Sequence, residues 1–257
     1  IGYTAWGIMV PLLFVGFGFG IFDAIIISLM VDFVNSIILM GNYSRQDKVD
    51  FKEGTKWGLL ALSGAIVAAL FAINILPSNE GFLRGSVGYV FFLLSGFFVY
   101  RGYNLSKKQE KNELMETKKK PIHLSNKAKT TVMVGGVLIS GILSGLLGIG
   151  SGANYALLFL IILGAERGFD TLRATGTSCY IMAMVSAALF IIFSVAGLVN
   201  FGLIWSFLVV GIVFSAIGTL IGSSLALKVS ESKLNYLVGI AIFITALVSS
   251  IQAIMLN

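Results

Sequence analysis

Long apolar stretches separated by short polar turns fill almost all of these 257 residues. A bilayer core takes about 20 apolar residues as a helix. On that scale the chain predicts spans at Tyr3–Gly20, Ala24–Gly41, Trp57–Leu76 and Phe82–Tyr103, then a polar linker at Asn104–Lys129. Further apolar stretches follow at Thr130–Gly148, Ala153–Gly164, Ala174–Ala196, Phe201–Leu227 and Leu234–Leu256. The Ala153–Gly164 piece is too short to span comfortably, and a glycine cluster separates it from the stretch before it. It is a candidate half-helix.

Composition agrees with a membrane-embedded chain. The sequence is 57% hydrophobic and 12% charged, with a mean hydropathy of +0.94, whereas soluble domains carry about 25% charge. A soluble fold would need a water-facing surface that this chain cannot supply. The expected class is therefore an all-α polytopic membrane protein of the plasma membrane. One cysteine, Cys179, excludes an internal disulfide, and one histidine, His123, sits in the charged linker. No metal centre, no cofactor and no nucleic-acid partner are expected; the lipid bilayer is the evident partner, and the oligomeric state is open.

Charge sets the topology. The linker holds Lys107, Lys108, Lys111, Lys118, Lys119, Lys120, Lys127 and Lys129 against three glutamates, which makes it cytoplasmic by the positive-inside rule. Walking backwards, the loop with Arg45, Lys48, Lys52 and Lys56 falls inside as well. Walking forwards, Arg167 and Arg173 fall inside only if Thr130–Gly148 and Ala153–Gly164 go out and back; a single broken crossing would put the positive charges outside. Charge favours the first option.

A shift of 150 positions brings the two halves into register. Ala24 meets Ala174, Ser28 meets Ser178, Ser36 meets Ser186, and Val49-Asp50-Phe51 meets Val199-Asn200-Phe201. The expected domains are a first transmembrane repeat over 1–103, the linker over 104–129 and a second repeat over 130–257. Each repeat would hold about four to five helices, with broken or half helices at the glycine-rich turns. Because the charges place the two matching turns on opposite sides, the repeats are expected to be inverted, an architecture that puts a transport site near the midplane; a parallel duplication is the alternative. Ile1 meets Ser151 on this register, so the counterpart of Thr130–Gly148 is expected to precede residue 1.

The strongest local signal is Gly145–Asn154. Ser140, Ser144, Gly148 and Gly152 recur every fourth residue, a spacing that lets helix backbones approach in lipid. Packing does not account for Gly148, Gly150 and Gly152 clustered with Ser151 and Asn154 before a short apolar helix. Broken backbone is tolerated inside a bilayer only where protein or a wet cavity satisfies it, and a helix start offers free N–H groups to an anion. Gly150, Ser151, Gly152 and Asn154 are therefore candidate anion ligands. Thr177 and Ser178 either cap the helix after Arg173 or donate to an oxyanion. Asp32 is the one acid in the middle of an apolar stretch, on a stripe with Ala24, Ser28 and Ser36 and with Asn35 beside it. A carboxylate there costs about 2.5–3.5 kcal/mol on insertion scales, so it reads either as a hydrogen-bonded structural group or as a proton- or cation-coupling group.

Gly148-Ile-Gly-Ser-Gly152, Leu163-Gly164 and Ala174-Thr-Gly-Thr-Ser178 resemble, in order and spacing, the second-half signature of the TauE/SafE sulfite-exporter family. Ile1-Gly-Tyr3, Val10-Pro-Leu-Leu13, Ser28 and Val49-Asp-Phe51 look like its first-half counterpart. The resemblance implies transport of a small anion, often a sulfur oxyanion or organosulfonate, and adds Gly2, Tyr3 and Ser28 to the candidate ligands. Two departures stand out: some relatives carry an acid directly after the first-half serine, where this chain has Leu29, and Ser151 interrupts the second glycine cluster. The expected function is a secondary transporter for a small anion, with a passive channel and a non-transporting membrane subunit as alternatives. An intramembrane enzyme is not expected, since no nucleophile lies with a candidate base.

Overall fold

The computed structural model describes residues 9–75 apart from Pro11, 126–148, 151–163 and 169–226, with single positions at 96, 99, 100, 103, 240, 243, 244 and 247. All regular structure among them is helical. A π-helical turn at Leu12–Gly16 precedes helices α1 (Ile21–Ser44), α2 (Phe51–Ile75), α3 (Asn126–Leu147), α4 (Gly152–Leu158, continued by a π-helical turn at Phe159–Leu163), α5 (Thr171–Val195) and α6 (Phe201–Ala226). Five of these, all but α4, are long and apolar enough to cross a membrane. Apart from those single positions, the expected spans at 82–103 and 234–256, and most of the 104–129 linker, lie outside the described residues; residues 126–129 form the first turn of α3.

Polar residues mark where the helices begin. Asp50 Oδ1 accepts the Glu53 amide at 3.0 Å, Asp170 Oδ1 the Arg173 amide at 2.7 Å, and Asn200 Oδ1 the Leu203 amide at 3.3 Å. Each satisfies an amide that the first turn leaves without a helical partner. These caps start α2 and α5 several residues before the apolar stretch itself, which hydropathy alone places at Trp57 and Ala174.

The direction of each helix follows from its contacts. Phe22, early in α1, packs on Phe193, late in α5 (ring centroids 5.3 Å apart), and Lys48, just past α1, pairs with Asp170, just before α5. The two helices are antiparallel. Along α2 and α3 the order is the same: Gly141 lies on Ala61 and Gly145 on Ala65, so closely that a Cβ at either would overlap the alanine carbonyl. These two run parallel, joined by the close backbone contact that small residues permit in lipid.

Displacing the numbering by 150 carries Ile21–Ser44 onto 171–194 and Phe51–Ile75 onto 201–225, within one residue of α5 and α6. The correspondence reaches single residues. Asp47 (φ 54°) and Gly197 (φ 70°) are matched left-handed positions after their helices, and Asp50 and Asn200 are matched caps.

Candidate functional site

Gly148 ends α3. Its amide closes the last turn on the Ser144 carbonyl at 2.8 Å, and its φ of +69° lies where a Cβ costs about 1–2 kcal/mol. Space forbids a side chain as well, because a Cβ would come within 2.6 Å of Ile25 Cγ2 on α1. The chain then reverses. Ser151 returns to α3, where its hydroxyl donates to the Ser140 carbonyl (2.9 Å) and meets the Ser144 hydroxyl at 2.8 Å. Further along, Gly136 of α3 faces Leu158 of α4, and Phe159 stacks against Phe169 (5.3 Å). The α3–α4 pair thus enters and leaves at the same end of the bundle, the end of Lys48 and Arg173. That is the out-and-back path favoured by charge.

Beside this turn lies a narrow gap lined by Leu29 of α1, Ser144 of α3, Ser151 and Tyr155 of α4, and Met182, Val185, Ser186 and Leu189 of α5. It has no room for a water molecule. Among the described residues, four hydroxyls and no charged side chain border it. Tyr155 is 1% exposed; its hydroxyl lies beside those of Ser144 and Ser151 but outside hydrogen-bonding geometry. A buried phenol without a partner is costly, and a partner could enter beside it only if the gap widened.

The expected ligands divide between places. Ser151 is buried at the gap and Gly152 is buried next to it in the chain, whereas Asn154 is exposed on α4. Thr177 lies nine residues before Ser186, about 13 Å along α5. There its Oγ1 accepts the Asp50 amide (2.9 Å), while Ser178 donates to the Thr175 carbonyl (2.7 Å). Ser28 and Ser36 are fully buried on α1 on either side of Asp32, and neither hydroxyl has a hydrogen-bond partner; Asp32 itself is 0% exposed. The Asn35 carboxamide oxygen accepts from Ser215 and Thr219 of α6, both at 2.7 Å, a contact that ties two helices. Gly2, Tyr3 and Gly150 lie outside the described residues.

Sequence reasoning missed Tyr155 and gave Ser140 and Ser144 a packing role only. The signal for Tyr155 was a phenol four residues beyond Ser151 at the head of an otherwise apolar helix. Ser186, which the sequence marks only as the match of Ser36, lines the gap.

Ion pairs close the charged end. Arg173 donates to Asp50 Oδ2 at 2.7 Å and Lys48 to Asp170 Oδ2 at 2.5 Å. Burial disfavours the Asp50 carboxylate, but the Glu53 amide and Arg173 together outweigh it and hold its pKa below the ordinary value. Asp170 is held low chiefly by Lys48, then by the Arg173 amide.

The family model described as "Sulfite exporter TauE/SafE" matches residues 2–249, nearly the whole chain. No curated protein and no solved structure matches it.

Proposed function

The chain belongs to the sulfite exporter TauE/SafE family of membrane transporters, and we propose that it is a secondary transporter which binds its small anion at the α3–α4 turn. The observation that carries this reading is the hydroxyl-lined gap beside a helix broken inside the bundle, with the Tyr155 hydroxyl buried there and unbonded. Hydroxyl donors hold an oxyanion without a compensating cation, as does unwound backbone in other transporters. Sulfur oxyanions and organosulfonates are the substrates we propose to test first.

A gap too tight for water favours a carrier over an open pore. Access would come from rearrangement of two inverted halves, α1–α2 against α5–α6, about the site. The matched helix ends and opposed directions support that arrangement, and positive charge assigns the Lys48 end to the cytoplasm. Asp32, buried in line with two unbonded serines, is the proposed coupling group, with a proton as the simplest co-substrate.

The test is binding and flux with the full chain in proteoliposomes, screened against sulfite, sulfate, thiosulfate, small sulfonates and carboxylates. Tyr155→Phe is expected to weaken binding of the anion that is moved by about tenfold, the worth of one hydrogen bond to a charged group, with the melting temperature kept. Unaltered affinity in Tyr155→Phe and in Ser151→Ala would remove the gap as the site.

A further inference from the structure

Among the described residues, the two ends of the bundle are closed by different chemistry. At the end carrying the α1–α2 turn, Lys48 pairs with Asp170 and Arg173 with Asp50. The pairs cross, since the base belongs to the first half in one and to the second half in the other. Around them the Asp50 amide donates to Thr177 (2.9 Å), the Thr55 and Tyr180 hydroxyls meet at 3.2 Å, and Phe51 packs edge-on to Tyr180. Gly176 sits so close beneath the Lys48 carbonyl that a Cβ would overlap it.

A displacement of 150 finds the matching positions at the opposite end. Lys48 corresponds to Leu198, Asp50 to Asn200, Asp170 to Gly20 and Arg173 to Asp23. No base is present in that set. In place of the Arg173–Asp50 pair stands a bond from the Asn200 amide to Asp23 Oδ1, 3.0 Å long. The matched helices otherwise end within one residue of each other.

We propose that the crossed pairs Lys48–Asp170 and Arg173–Asp50 form an electrostatic latch between the halves, which holds the linker-side end shut and must release before that end opens. The release step rests on the carrier reading above; the closure does not. The side chains of Lys48 and Asp170 are 34% and 50% exposed and those of Arg173 and Asp50 37% and 17%. Pairs so exposed are individually weak. Two of them reinforcing one short hydrogen-bonded seam make a fastening that thermal motion can undo, which a transport cycle requires.

The acids also cap α2 and α5, so the bases are the residues to change. A reporter is already in place: Cys179, the chain's one cysteine, lies two residues beyond Thr177 and is 1% exposed. We would measure alkylation of Cys179 by a water-soluble maleimide in the purified full chain in nanodiscs. The Lys48→Gln/Arg173→Gln double variant is expected to react roughly five- to thirtyfold faster than wild type, as loss of a kilocalorie or two per mole implies. Arg173→Lys, which keeps the charge, should stay close to wild type. In wild type the rate should rise several-fold between low salt and about 1 M salt, where screening is nearly complete.

Wild-type reactivity in the double variant would overturn the latch, as would equal acceleration by Asp23→Asn, which would mean general loosening. Should the double variant fail to fold, the salt dependence decides: a rate indifferent to salt in wild type and in Arg173→Lys refutes it. None of these readouts needs substrate. A failed transport assay therefore leaves the latch standing, and a failed latch leaves the anion site standing.

Discussion

At the scale of single residues, Gly148 carries the most structure per atom. It takes the left-handed turn that ends α3 and leaves room for Ile25 of α1, so any side chain meets a backbone penalty and a clash together. Gly148→Ala is expected to cost about 2–5 kcal/mol, combining roughly 1–2 for the left-handed conformation with 1–3 for overpacking. A shift in the denaturation midpoint of the detergent-solubilised protein measures it; a loss under about 0.5 kcal/mol would mean that the turn relaxes freely. The glycine cluster announced a break in the sequence because apolar chains rarely spend three glycines in five residues without a backbone reason. The ligand set around it was less legible. Asn154 looked equivalent to Ser151 in sequence, yet the period of α4 turns it to the outer face, and no spacing rule shows that Tyr155 shares a gap with Ser186 thirty-one positions later.

At the scale of elements, the helices were legible and their ends less so. Hydropathy located α1, α2, α3, α5 and α6 because lipid demands a minimum apolar length. It placed the starts of α2 and α5 late because Asp50 and Asp170 cap a polar first turn that has no hydropathy signal. These same acids make the seam between α5 and the α1–α2 turn sensitive to pH. Both have pKa values below the ordinary 3.8. A carboxyl group depressed on folding contributes stability that is complete above its unfolded value and lost as the pH falls through its folded one. The advantage in melting temperature of wild type over the Lys48→Gln/Arg173→Gln variant should thus be constant from neutral pH down to about 4–5 and shrink below 3.8. The groups facing these acids, Lys48 and Arg173, keep their charge throughout that range, so an advantage that persisted at pH 2 would show that the contact is not ionic.

At the scale of the whole molecule, an offset of 150 was readable from Ala24/Ala174 and Ser36/Ser186, and loop charge gave the expectation that the two halves are inverted, though not which helices meet. That pairing came from contacts between residues more than a hundred positions apart, such as Phe22 with Phe193 and Asp50 with Arg173. Coupling belongs at this scale too, because Asp32 can matter to flux only if both halves move together. Asp32→Asn is expected to leave the fold intact while flux in proteoliposomes loses its dependence on an imposed proton gradient, by tenfold or more if one protonation drives the cycle. Flux that still follows the gradient would assign coupling elsewhere.

The pairing of α1 with α5 also bears on how the chain reaches its bilayer. Phe22 waits for Phe193, a separation of 193 − 22 = 171 residues, and at roughly 5–20 residues per second the ribosome needs about ten to thirty seconds to supply it. During that interval the second half is not there to help cover Ser28, Asp32 and Ser36, all buried in the finished bundle, and hydrocarbon is a poor substitute. The first half must therefore be sheltered, by the insertion machinery or in the protein-lined mouth of the translocon, until its later counterpart arrives. The final embedding of α1 thus waits until α5 has been made.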